Sequence, residues 1–209
     1  MSQKCYLCEL IKDWRKIYML TTPIRKKEDI NLIKEYYLKN GKYRDYALFV
    51  VGINTSLRIS DILNMRWNDI YDFELQRFKE HLFLREQKTG KKNCIAINAS
   101  FQEAIMLLMK YQGPHSQSDY IFCSPNNCKK HISRNRAWHI IKKAAEDNHL
   151  DGNISCHSLR KTFGYHAWKN GVPPALIMEI YNHSNISVTK RYLSINQDEK
   201  DTLFHTINL

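Results

Sequence analysis

The chain has no apolar run near the ~20 residues that a helix needs to span a bilayer. A helical membrane protein is therefore excluded. The opening MSQKCYLCELIKDWRK intersperses its charges and lacks the apolar centre of a secretory signal. Repeats and low-complexity linkers are absent, which excludes solenoids and long disordered spacers. Acid is scarce, with 21 Asp and Glu against 32 Lys and Arg, and the carboxylates do not cluster as metal ligands do. The six cysteines lack the dense spacing of a disulfide scaffold, so a reduced, cytoplasmic protein is expected. Cys5 and Cys8 form a C-x-x-C, and Cys123 and Cys128 a looser pair. Zinc joining the two pairs would need them brought together, and nothing in the sequence does so. The expectation is no metal and no cofactor.

What the sequence does hold is positive charge. The formal net charge is +11 over 209 residues, with a pI near 9.3 and 43% hydrophobic residues. That is a globular chain with a large enough core and a bias toward a polyanion. Each Lys or Arg placed on a phosphate releases a counterion, so a nucleic acid is the favoured partner. A basic protein with no such partner is the plainer alternative.

Apolar periodicity predicts a mainly helical α+β fold with a small antiparallel sheet. After a lead-in, Ile30, Ile33 and Tyr37 share one helix face, and Gly41 stops that helix. YRDYALFVVGINTS reads as a buried helix, and RISDILNMRW as a short one with Ile59, Ile62 and Leu63 on one side. His81–Glu86 and Cys94–Ile97 have strand character and flank KTGKK, a turn with Gly90. Ser100 and Glu103 suggest a capping box opening AIMLLMKY. Helices are also expected in ISRNRAWHIIKKAAEDNHL, along SCHSLRKTFGYHAWKNG, near PPALIMEIY and in SVTKRYL.

Five stretches carry side chains that suit a phosphate, and each has an ordinary reading beside the functional one. Arg58 sits where a helix starts. Free N–H groups there attract an anion, and a guanidinium adds a planar fork. It could equally snorkel or pair with Asp61. Lys88 on a hairpin tip can reach DNA or donate a proton, or simply be solvated. His157 and Arg160 are three apart, hence on one helix face, as a surface pair would also be. His183 in YNHSNIS fits a turn as well as a site. Tyr192 fits a core, and as a nucleophile it needs activation because a phenol with a pKa near 10 is protonated at pH 7.

Taken in order, these motifs resemble the tyrosine recombinases, the phage-integrase family. TSLRISDILNMRWNDI resembles the family's first-arginine motif, QKTGKK its hairpin-lysine motif, HSLRKTF its HxxR motif and HSNISVTKRYL its terminal His-to-Tyr motif. The resemblance covers roughly residues 25–195. It implies a tyrosine recombinase catalytic-domain fold there, with a lead-in at 1–24 and a tail at 196–209 that docks on a neighbouring protomer or folds back on its own. It also implies the chemistry. Tyr192 attacks a DNA phosphate to form a 3′-phosphotyrosyl link and releases a 5′-hydroxyl. Arg58 and Arg160 clamp the non-bridging oxygens, and His157 takes or holds the tyrosine proton. His183 bonds the phosphate and Lys88 protonates the leaving oxygen. Cationic side chains stabilise the charge, so neither metal nor ATP is required. Asp61 is a candidate for orienting a basic group.

Two departures stand out. Residues 1–42 are too short for the separate helical domain with which many integrases encircle DNA. A short form is expected, with weak binding alone or an accessory DNA-binding protein. Tyr181-Asn182 replaces the family's frequent Leu-Gly before the loop histidine, and Asn tolerates the required bend better than most residues. Leu203, Phe204 and Ile207 give the tail a small apolar face for docking within a homo-tetramer on DNA. Lys91, Lys92, Arg134, Arg136, Lys142 and Lys143 are candidate DNA contacts. The rival function is a regulator that binds DNA on the same fold without cutting it.

Overall fold

The computed structural model describes residues 21–125, 127–195, 201 and 204–207. Helix α1, Lys27–Lys39, buries Ile30, Ile33 and Tyr37, the face its periodicity predicts, and Gly41 follows at φ +62°. Helix α2, Tyr43–Thr55, is apolar on nearly every side because it runs through the middle of the domain. It packs on α1, on α5 (Ala99–Gln112) and on α7 (Cys156–Lys169). Ser56 ends α2 in the left-handed conformation, and the chain turns at once into the short α3, Ile59–Leu63, with Arg58 as its N-cap residue. Another short helix, α4, spans Trp67–Ile70.

Instead of one small sheet, the strands among the described residues form three separate antiparallel hairpins. These are β1 (Tyr71–Asp72) with β2 (Arg77–Phe78), β3 (His81–Arg85) with β4 (Lys92–Ala96), and β5 (Cys123–Ser124) with β6 (Asn127–His131). Alternation along a strand says which face is buried, not which strand lies alongside. The register of the central hairpin pairs His81 with Ala96 and Arg85 with Lys92, leaving Gln87–Gly90 at the tip. The start of α5 also differs from expectation. Asn98, not Ser100, caps it by accepting the Phe101 N–H at 2.9 Å. Asn is as good a cap as Ser. Starting there turns Phe101, Ala104, Ile105 and Leu108 into the core.

Helix α6, Arg134–Asp147, is capped by Ser133, whose hydroxyl accepts the Arg136 N–H. Helices α8 (Pro174–Tyr181) and α9 (Ile186–Leu193) complete the domain. Two apolar clusters result among the described residues. The larger runs from Ile24 to Leu159, and the smaller joins Tyr165, Ile177, Tyr181, Leu193 and Ile195. Helix α7 belongs to both, giving Leu159 to the first and Tyr165 to the second, with Arg160 between them. Ahead of α1, Ile24 is buried and its N–H donates to Thr162 on α7 at 2.8 Å. Among the described residues no helix is long and apolar enough to cross a membrane. Cys5 and Cys8 lie outside the described residues. Cys123 and Cys128 face each other across their hairpin as free thiols, with sulfurs 3.6 Å apart.

Candidate active site

The seam between the two clusters is where the predicted residues meet. Arg58, at the first turn of α3, donates through Nη1 to the Glu86 carboxylate. Arg160 comes from α7. Its Nη1 donates to the Ser56 carbonyl at 2.5 Å and lies 4.0 Å from Glu86 Oε1. The two guanidinium groups, 102 residues apart in the chain, thus converge on one buried carboxylate. Each is desolvated to a useful degree: Arg160 is buried and Arg58 half-buried. Their attraction for an anion is correspondingly stronger than it would be in bulk water.

Arg160 is held from behind by Tyr181. The tyrosine hydroxyl donates to the Arg160 carbonyl at 2.5 Å, and its ring lies under the guanidinium at 4.7 Å. That is a backbone tether and a cation–π contact from a single side chain. Gly164 makes the approach possible, since a Cβ there would sit 2.6 Å from the Tyr181 hydroxyl. The residue after Tyr181, Asn182, adopts φ +56° and ψ +46°, so the tight bend expected before the loop histidine is present.

Tyr192 is half-buried on α9, with its ring 5.4 Å from that of Tyr181 and 5.2 Å from that of His183. Burial raises its pKa above 10, against the pull of the Arg160 and Arg58 charges. The phenol is therefore protonated at neutral pH in the free protein. His183 Nδ1 pairs with the Thr189 hydroxyl at 3.1 Å. Burial first, then Arg160 and Arg58, lowers its pKa. His157 opens to solvent near the start of α7. Packing around its ring lowers its pKa, helped by the charges of Lys161, Arg160, Lys88 and Arg58 in that order. Lys88 sits exposed on the β3–β4 tip, close enough to act on His157. The six candidate catalytic residues therefore share one electrostatic neighbourhood.

The sequence is matched over residues 24–199 by the model of the phage integrase family. The chain belongs to that family. It is 40% identical over 179 residues to the probable integrase/recombinase YoeC of Bacillus subtilis (strain 168), covering 86% of this chain and 92% of that one. It is 29% identical over 171 residues to the tyrosine recombinase XerA of Pyrococcus horikoshii, covering 78% of this chain and 57% of the relative. The chain thus spans nearly all of the YoeC relative but little more than half of the XerA one. Among solved structures, a XerA recombinase superposes with TM-score 0.70 at 17% identity, covering 90% of this chain and 66% of that one. A lambda integrase dimer bound to a core site gives 0.60 at 15%, covering 83% and 60%. The fold is that of a tyrosine recombinase catalytic domain. Family and relatives agree on the class, a site-specific tyrosine recombinase or integrase, and lend no support to a regulator that binds without cutting.

Three members of the site were not read from the sequence. Glu86 is 4% exposed and binds Arg58, Thr89 and Asn93. A signal was available: alternation along β3 puts Glu86 on the inward side with Leu82 and Leu84, where a carboxylate needs a cationic partner. Tyr181 is the second. Lys161 is the third, buried with Nζ 5.2 Å from the Tyr192 ring and donating to the Thr21 carbonyl at 2.5 Å. Asp61 does not pair with Arg58. Its Oδ1 instead accepts the Gln87 N–H at 3.0 Å, next to Lys88.

The candidate DNA contacts divide in two. Lys91, Lys92, Arg134 and Arg136 are exposed. Lys91 lies on the hairpin and Arg134 opens α6. Lys142 and Lys143 pair along α6 with Glu146 at 3.4 Å and Asp147 at 3.1 Å.

Proposed function

We propose that Tyr192 is the nucleophile that cuts and rejoins double-stranded DNA. Its phenolic oxygen attacks the scissile phosphorus, forming the O–P bond of a 3′-phosphotyrosine as the bond from phosphorus to the 5′ oxygen breaks. The phenolic proton passes to neutral His157, and Lys88 gives a proton to the departing 5′ oxygen. Arg58 and Arg160 hold the two non-bridging oxygens, where charge develops in the pentavalent transition state. His183 donates to the phosphate from the α9 side. The phosphotyrosyl link keeps the energy of the broken bond, so a second 5′-hydroxyl can reverse the step and exchange strands without ATP. Charge stabilisation by arginine fills the place a divalent ion takes in other phosphoryl transfers.

The observation that carries this reading is the meeting of Arg58 and Arg160 on one carboxylate beside Tyr192. An anion pocket next to a phenol is what phosphate attack needs. The assembly proposed is a homo-tetramer on DNA, with an accessory DNA-binding protein adding affinity. Phe204 is 76% exposed in the tail and Ile207 is exposed beside it, which suits docking on a neighbouring protomer. Leu203, the third member of that face, lies outside the described residues. The site of action is the cytoplasm, where the DNA is.

A nicked suicide substrate carrying the native site tests the chemistry. The cut strand loses a short fragment and traps the covalent intermediate. A protein–DNA band should survive denaturing electrophoresis and vanish in Tyr192→Phe, with binding retained. Specific binding with no such band from the parent protein would overturn the assignment.

A further inference from the structure

Glu86 has a position that the mechanism above does not use. It follows directly on β3, and its backbone closes the loop that carries Lys88. The Glu86 N–H donates to the Lys91 carbonyl at 2.9 Å, and its carbonyl accepts the Gly90 N–H at 2.8 Å. The side chain then reaches into the site. Oε2 accepts from Arg58 and, at 2.6 Å, from the Thr89 hydroxyl in the same loop. Oε1 accepts from Asn93 Nδ2 at 3.0 Å on β4 and faces Arg160 at 4.0 Å. One carboxylate thus joins the hairpin tip, α3 and α7. From the other side Asp61 holds the next residue, through the Gln87 N–H.

We infer that Glu86 is a positioning residue that locks the Lys88 loop to the Arg58–Arg160 pair, so that the proton donor and the phosphate clamp keep one fixed geometry. The inference rests on the proposed role of Lys88 as proton donor. Lys88 is exposed on a two-stranded hairpin, and a long lysine on such a tip has no fixed direction of its own. Proton transfer needs the donor within hydrogen-bond reach of the leaving oxygen. A tie from the base of the loop to the groups that hold the phosphate supplies that constraint. Burial works to raise the Glu86 pKa, but Thr89, Arg58 and Arg160 outweigh it and keep the carboxylate ionised. The tie is therefore charged at working pH. Full use of both carboxylate oxygens by Thr89, Asn93 and Arg58 distinguishes this from a carboxylate that merely keeps the phosphate's place and must leave when DNA binds.

The test compares cleavage of a suicide substrate with an oxygen at the scissile 5′ position and one with sulfur there. A thiolate leaves without needing a proton, so loss of the donor is repaired by sulfur. Lys88→Ala should lose about 10²-fold or more on oxygen and recover on sulfur, since general acid catalysis is worth that much. Glu86→Gln keeps the shape and loses the charge. It should show the same pattern, with at least about tenfold more loss on oxygen than on sulfur. Combined with Lys88→Ala it should add little, because the two changes remove one function. Thr89→Val, at an exposed position, cuts one arm of the tie without stranding a buried charge. It should give a smaller loss on oxygen with the same recovery on sulfur, and it serves if the Gln variant does not fold. Equal losses of Glu86→Gln on both substrates, or faster cleavage with tighter DNA binding, would overturn the inference. A Lys88→Ala variant unrepaired by sulfur would instead sink the proton-donor role of Lys88, a separate failure of the proposed function.

Discussion

His157 precedes Arg160 by three residues and Lys161 by four, so one turn of α7 sets a histidine among cations. Packing and those charges hold its pKa below 6.5, and it is neutral at pH 7. A proton acceptor must be neutral, so the rate of phosphotyrosyl formation should be level above pH 6.5. It should fall only when pH drops through the lowered value. His157→Asn should slow cleavage and remove that acid limb, as single-turnover rates across pH 5–8 would read. The same depression acts on stability. The unfolded chain binds this proton more readily, so the fold loses stability as pH falls below the ordinary value. At this scale the residues that converge on the candidate site were legible because each is a distinctive residue at a distinctive spacing. Glu86 and Tyr181 were not. Glu looks like any hairpin charge until the parity of β3 is counted, and Tyr181 looks like a core aromatic, which in part it is.

Among the elements, α7 and α8 show how packing governs the chemistry. Gly164 leaves room for the Tyr181 ring that backs Arg160. In Gly164→Ala the new Cβ would lie 2.6 Å from the Tyr181 hydroxyl and 2.7 Å from Leu193 Cδ2, so both must give way. Overpacking of this kind costs about 1–3 kcal/mol. The melting temperature should fall, and cleavage should fall further than stability explains because the Arg160 tether is displaced. Unchanged cleavage with a lowered melting temperature would show that the tether is dispensable. The helices were readable because a 3.6-residue apolar period persists over several turns, as in α1 with Ile30, Ile33 and Tyr37. The central hairpin was readable, partners included, because KTGKK parts two strand-like runs, whereas the other two hairpins escaped because strands of two residues carry no alternation to read. The start of α5 escaped for a different reason: two polar residues near one helix end were both good caps, and burial of Phe101 chose Asn98.

For the whole molecule, the net charge of +11 predicts salt-sensitive DNA binding but not which cations meet phosphate. The structure separates the candidates. Lys91, Lys92, Arg134 and Arg136 have no acidic partner among the described residues. Lys142 and Lys143 each face an acid one turn along α6. A surface pair of that kind is weak, about 0.3–0.5 kcal/mol, yet a paired lysine gives up part of that attraction before it can serve a phosphate. Each cation placed on a DNA phosphate contributes about −0.9 to the slope of log K against log salt concentration. Alanine at Lys91, Lys92, Arg134 or Arg136 should each flatten the slope by close to that amount. Alanine at Lys142 or Lys143 should flatten it by less, while removing Glu146 or Asp147 should steepen it and tighten binding. Titrations at several salt concentrations on one DNA duplex would read all of these, and equal slopes across the two groups would show that the pairs on α6 open when DNA arrives.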